Sequence, residues 1–131
     1  MKFSYKKYPQ DILRPVIRIE VKSKNQPSVP YEVLVDSGAD FCIFDAGIAE
    51  ILNIDLESGE PRNVAGVTGV QEVYYVHPVT LLLGGWEYQT EVGFMPGVSR
   101  FGHGIVGQIG FFDQFKVKFD YQKAEVELMK K

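Results

Sequence analysis

Among the residues of this chain that can do chemistry, the triplet Asp36-Ser37-Gly38 stands out by its setting. It ends the apolar run Val33-Leu34-Val35, continues into Ala39-Asp40, and is followed by the apolar Phe41-Cys42-Ile43-Phe44. A carboxylate held there can take a proton from water or give one. Gly38 lets backbone come close to that carboxylate and offer it an N–H, and Ser37 adds a hydroxyl. The triplet alone is weak: Asp-Ser/Thr-Gly arises by chance about once in twenty chains of this length, and all three residues favour turns. Its weight comes from the strands on either side. Other reactive side chains offer less. Cys42 lies inside an apolar run, where a buried thiol is the expected state. His77 and His103 are far apart, and no Cys/His/Asp group has ligand spacing, so neither a metal nor another cofactor is expected. No Ser-His-Asp assembly can be read.

The elements that must position Asp36 are mostly strands. Ile17, Ile19 and Val21 alternate with Arg18, Glu20 and Lys22, which predicts a half-buried strand. The polar stretch Ser23-Lys24-Asn25-Gln26-Pro27-Ser28 turns the chain into a second alternating run, Tyr31, Val33, Val35. After Phe44, Asp45 is placed to cap a short helix with Ile48, Ile51 and Leu52 at helical spacing. Residues 62–92 read as hairpins: Gly66 and Gly69 bracket one turn, 73–83 is strand-like, and Gly84-Gly85 makes the next reversal. Residues 108–114 allow a second helical stretch. Phe115, Val117 and Phe119, then Ala124, Val126 and Leu128, alternate with charged residues, the pattern of a final hairpin around Tyr121-Gln122-Lys123. Trp86 and the other aromatic residues are expected to pack these strands.

Composition bounds the rest. A chain of 131 residues, 24% charged and with net charge −3, fits one globular domain spanning 1–131, with 1–14 as an N-terminal extension. Lys6-Lys7 and Lys130-Lys131 are its only basic clusters, so nucleic acid is not an expected partner. The apolar stretches fall short of a membrane span, and the first residues lack the apolar core of a secretion signal. With one cysteine, a reducing, cytoplasmic setting is the expectation.

The string Val33-Leu34-Val35-Asp36-Ser37-Gly38-Ala39-Asp40 resembles the active-site segment of retroviral-type aspartic proteases, the retropepsins. Ala65-Gly66-Val67-Thr68-Gly69-Val70 is similar to their flap, and Ile105-Val106-Gly107 to their apolar-apolar-Gly element; in order and spacing the match runs over roughly residues 15 to 129. The resemblance implies an all-β fold, a closed β-barrel of the retropepsin-like acid protease type with one or two short helices. It also implies that Asp36 lies at a two-fold axis. Hydrolysis by this route uses two carboxylates about one water, and Asp11, Asp40, Asp45, Asp55, Asp113 and Asp120 all lack a following Ser/Thr-Gly. A homodimer would supply the second Asp36. The polypeptide substrate would lie between Asp36 and the flap.

Roles implied for single residues follow. Asp36, Ser37 and Gly38 would be catalytic, Ser37 bonding across the dimer. Ala39 and Asp40 would hold substrate backbone, although Asp40 also reads as a solvated loop carboxylate. Val67, Thr68 and Gly69 would form the flap tip, or an ordinary hairpin turn. Ile105 would wall a substrate pocket. His103 would lie on a loop at its mouth, cationic at acidic pH and selecting against Lys and Arg in the substrate, or else simply solvated between Gly102 and Gly104. Viral members carry Arg after the apolar-apolar-Gly element, pairing with an acidic residue placed like Asp40; this chain has Gln108. The terminal strand at 124–129 would join a dimer interface or an internal hairpin. The leading expectation is an aspartic endopeptidase. A catalytically inactive retropepsin-like dimerisation or peptide-binding module is the alternative, and an unrelated β-barrel binding protein a more distant one.

Overall fold

The computed structural model describes residues 1–65 and 69–131. In chain order the strands are β1 (Lys2–Ser4), β2 (Lys6–Tyr8), β3 (Ile12–Arg14), β4 (Val16–Lys22), β5 (Val29–Val35) and β6 (Ile43–Asp45). Helix α1 (Ala46–Ile51) follows, then β7 (Glu60–Ala65), β8 (Gln71–Leu83), β9 (Trp86–Met95), β10 (Gly104–Val106), β11 (Phe115–Asp120) and β12 (Glu125–Lys130). Six of these close a barrel in the order β4-β5-β10-β6-β9-β8, because β4 pairs with β8 as well as with β5. The closure leaves β7 attached to β8 as the outer strand of a hairpin.

Alternation decides which way each strand faces. On β4, Ile17, Ile19 and Val21 are buried and Arg18 and Glu20 exposed, as a period of two requires. The β8–β9 reversal is tight: Leu83 pairs with Trp86 across Gly84 and Gly85, whose φ angles of 55° and 79° are open to glycine without strain. Phe44 and Phe94 fill the barrel edge to face, 6.0 Å between ring centres, and Tyr31 meets Phe44 at 5.1 Å.

The chain ends form a second sheet, β1-β12-β11. Its buried residues Phe115, Val126 and Leu128 belong to the same apolar cluster as the barrel residues Val33, Val92 and Val106. Strand β12 is hydrogen-bonded on both edges within its own chain, to β1 and to β11. The internal reading of the terminal strand is therefore the one the topology supports. Residues 2–4, counted with an extension, are part of this sheet, while β2 and β3 form a small hairpin paired with each other.

Helix α1 starts where the capping pattern indicates: the Asp45 carboxylate accepts the Gly47 N–H at 2.8 Å. Ile48 and Leu52 are buried, but Ile51 points to solvent, 61% exposed. The stretch 108–114 is not an α-helix. It is a run of turns in which Gly110 takes φ 104°, a conformation a right-handed helix excludes, and Asp113 turns its carboxylate back on the Gly110 N–H. Among the described residues, no helix is long and apolar enough to cross a membrane.

Candidate active site

Asp36 is the first residue beyond β5, and the loop it opens is held from behind by the strand end at 106–109. Strand β10 lies between β5 and β6, parallel to the first and antiparallel to the second, so the loop 36–42 must pass around its end. The Asp36 N–H donates to the Val106 carbonyl at 3.0 Å. Further on, the Gln108 and Ile109 N–H groups donate to the carbonyls of Ala39 and Asp40 at 2.8 and 2.9 Å. Gly107 is required by this approach: a Cβ there would stand 2.5 Å from the carbonyl oxygens of both Ala39 and Phe41. Its N–H donates to Cys42 Sγ at 3.4 Å, and the thiol donates to the Ile109 carbonyl at 3.5 Å. Burial, partly offset by that Gly107 N–H, pushes the Cys42 thiol up to about 11. Cys42 is thus a buried structural thiol.

The front of the loop is open. Ser37, Gly38 and Asp40 are exposed and Asp36 is half-buried. The Gly38 N–H donates to Asp36 Oδ1 at 2.9 Å, holding the carboxylate over its own turn, and a Cβ on Gly38 would come within 3.3 Å of that oxygen. The Gln108 side chain reaches into the same turn, its Nε2 donating to the Ser37 carbonyl at 2.9 Å. A carboxylate supported by a backbone N–H and presented at an open surface can exchange protons with a bound water.

The aspartyl protease family model matches residues 19–110, which include the whole of this arrangement. The chain belongs to the aspartyl protease family. A search of the curated proteins finds no sequence match. Among solved structures, a retropepsin-like aspartic protease from Rickettsia conorii is similar at a TM-score of 0.64 and 16% identity, over 98% of each chain. The EIAV protease, in complex with the inhibitor HBY-793, is similar at a TM-score of 0.56 and 21% identity, over 79% of this chain and 88% of that one. At such identities the likeness shows the fold, which is retropepsin-like.

Around this family site the remaining expected residues fall as follows. Ile105 lies in β10, paired with Leu34 and Ile43, and is half-buried. Strands β7 and β8 flank the segment expected to be a flap; Gly69 takes φ 79°, and Val67 and Thr68 lie outside the described residues. From β7 the Arg62 guanidinium lies 6.0 Å from the Phe41 ring centre, and Phe41 meets Tyr74 of β8 at 6.3 Å, so these two strands pack on the residue after Asp40. His103 is not solvated. It is 8% exposed, with Nδ1–H donating to its neighbour's carbonyl, Gly104, at 2.9 Å. It lines a cavity of about 260 Å³ with Tyr31, Asp45, Ile48 and Ile51, roughly 10 Å along the strand from Val106.

Two contributors carry no signal in the sequence for what they do here. Asp45 reads as a helix cap, yet its second oxygen accepts the Ser99 N–H at 2.8 Å and so ties the loop before β10 to α1. Gln108 reads as a missing charge, yet its amide is bonded to the active-site turn.

Proposed function

We propose that the chain is an aspartic endopeptidase, active as a homodimer on extended polypeptide. The observation that carries this reading is Asp36 itself, presented at an exposed turn with Gly38 N–H on one carboxylate oxygen. A second copy related by a two-fold axis would bring its own Asp36 opposite, and the open front of the loop leaves room for it. Two carboxylates that close hold one proton between them, as in aspartic proteases generally. The ionised member takes a proton from the water that attacks the scissile carbon, and the protonated member donates to the carbonyl oxygen. The tetrahedral adduct then collapses as the amine leaves with a proton.

Ser37 bonds across the dimer in this reading, and Gly38, Ala39 and Asp40 line the floor on which substrate backbone lies. Val67, Thr68 and Gly69 close from above and exclude water. Ile105 walls a side-chain pocket, while His103 lies buried in a separate cavity beside Tyr31 and Ile48. We place the protein in the cytoplasm within the same reading, supported by its single cysteine, buried and free.

The test is hydrolysis of a peptide library at acidic pH by the wild type and Asp36→Asn, with circular dichroism and sedimentation on both. Activity present in the wild type and lost in a folded Asp36→Asn supports the reading. Equal activity in the two refutes the mechanism, and a folded wild type inactive across the library refutes the endopeptidase.

A further inference from the structure

We propose that Gln108 is a positioning residue that holds the Asp36 carboxylate through the peptide unit between Ser37 and Gly38; the inference rests on the peptidase reading above. The geometry is that of one rigid plane gripped at both ends. The carbonyl of that unit, on Ser37, accepts Gln108 Nε2–H at 2.9 Å. Its N–H, on Gly38, donates to Asp36 Oδ1 at 2.9 Å. A peptide bond is planar, so fixing the direction of the C=O fixes the direction of the N–H. Donation to the carbonyl also polarises the amide and strengthens its N–H as a donor.

Such a grip is needed because of Gly38. Without a Cβ, its backbone can turn the peptide plane over at little cost, and the carboxylate would then lose its donor. The other bonds that hold the loop join main-chain groups on either side of this unit: Asp36 N–H to the Val106 carbonyl, Ala39 N–H to the Asp36 carbonyl at 3.2 Å, and the Gln108 and Ile109 N–H groups to the carbonyls of Ala39 and Asp40. Among the described residues, only the Gln108 amide reaches the Ser37 carbonyl from a side chain. It does so from an exposed position, so substitution there leaves the core untouched.

Three variants separate this role from a merely structural one. Gln108→Ala removes the donor, and kcat is expected to fall roughly tenfold, the worth of one such hydrogen bond, with KM and dimerisation unchanged. Gln108→Glu keeps the size but cannot donate when ionised. Its side chain regains a donor as pH falls below the ordinary glutamate value of about 4.3, so its activity approaches wild type at pH 3.5 and matches Gln108→Ala above pH 5.5. Gln108→Asn, one methylene too short, behaves as Gln108→Ala.

The second readout needs no turnover. The Gly38 amide, followed by 15N NMR, is expected to shift upfield and exchange faster with solvent in Gln108→Ala. An unmoved Gly38 amide overturns the proposal whether or not the protein is a peptidase, as does a Gln108→Glu deficit that is the same at every pH. An inactive wild type with a shifted Gly38 amide leaves the clamp standing and removes only the peptidase reading.

Discussion

Cys42 shows how much a single buried side chain behind the Asp36 loop is asked to do. Its sulfur accepts the Gly107 N–H and its thiol donates to the Ile109 carbonyl, so it bridges two backbone groups of the segment after β10. That position sets a pH dependence. Burial, the largest influence, raises the thiol to about 11, aided by the charge of Asp113 and opposed by the Gly107 N–H. The folded state therefore holds the proton more tightly than the unfolded chain. The stability this contributes is complete below about pH 9 and is lost as pH rises through about 11, on the order of 2 kcal/mol in all. Tyr31, raised to about 12 mainly by burial, adds a similar loss slightly higher, and Tyr88 moves in the same direction. Urea unfolding at steps from pH 8 to 11 should show a shallower decline for Cys42→Ala than for wild type. Parallel declines would mean that Cys42 ionises as freely folded as unfolded.

At the scale of elements, the cavity lined by His103 is walled in part by a helix of six residues, too short to be stable alone. Asp45 compensates at its start. One carboxylate oxygen caps Gly47, the other takes the Ser99 N–H, and its own N–H donates to the Tyr31 hydroxyl at 3.0 Å. Strand β5, strand β6, α1 and the loop leading to β10 thus meet at one residue. Asp45→Ala should cost about 2 kcal/mol, roughly one for the cap and one for the loop tie. Asp45→Asn, which keeps acceptor oxygen for one of the two, should fall between. Chemical denaturation of the three proteins reads this directly, and a loss in Asp45→Ala under about 0.5 kcal/mol would show that the loop is held by packing alone.

For the whole molecule, the homodimer proposed above would have to form without the edges of β12. Both edges of β12 are occupied within the chain, so a partner cannot add to it without displacing β1 or β11. Among the described residues, the turn after Asp36 is exposed, and the β2–β3 hairpin leads into Pro15, whose carbonyl accepts the Val35 N–H at 2.9 Å. If activity belongs to the dimer, specific activity should fall faster than in proportion to protein concentration near the dissociation constant, and recover on concentration. Sedimentation over the same range should show the two species. A monomer that keeps full activity on dilution would end the two-aspartate reading.

What the sequence by itself determined is what short-range pattern can encode. Period-two alternation placed β4, β5, β11 and β12, paired glycines placed the β8–β9 turn, and an aspartate before a helical pattern placed the start of α1. Asp36-Ser37-Gly38 was legible because strand, turn and reactive group are adjacent in the chain. Tertiary structure decided the rest. That β10 enters between β5 and β6 depends on pairings between residues some 70 apart, for which no local signal exists. The partner of the Gln108 amide and the burial of His103 depend on that insertion, and the filling of both edges of β12 on the separate sheet that brings the two chain ends together. The 108–114 stretch failed as a helix for the same reason. Its backbone bonds the loop after Asp36, and Gly110 supplies a left-handed φ that local propensity cannot announce. A side chain's type says what it can bond; only the fold says which atom stands within reach.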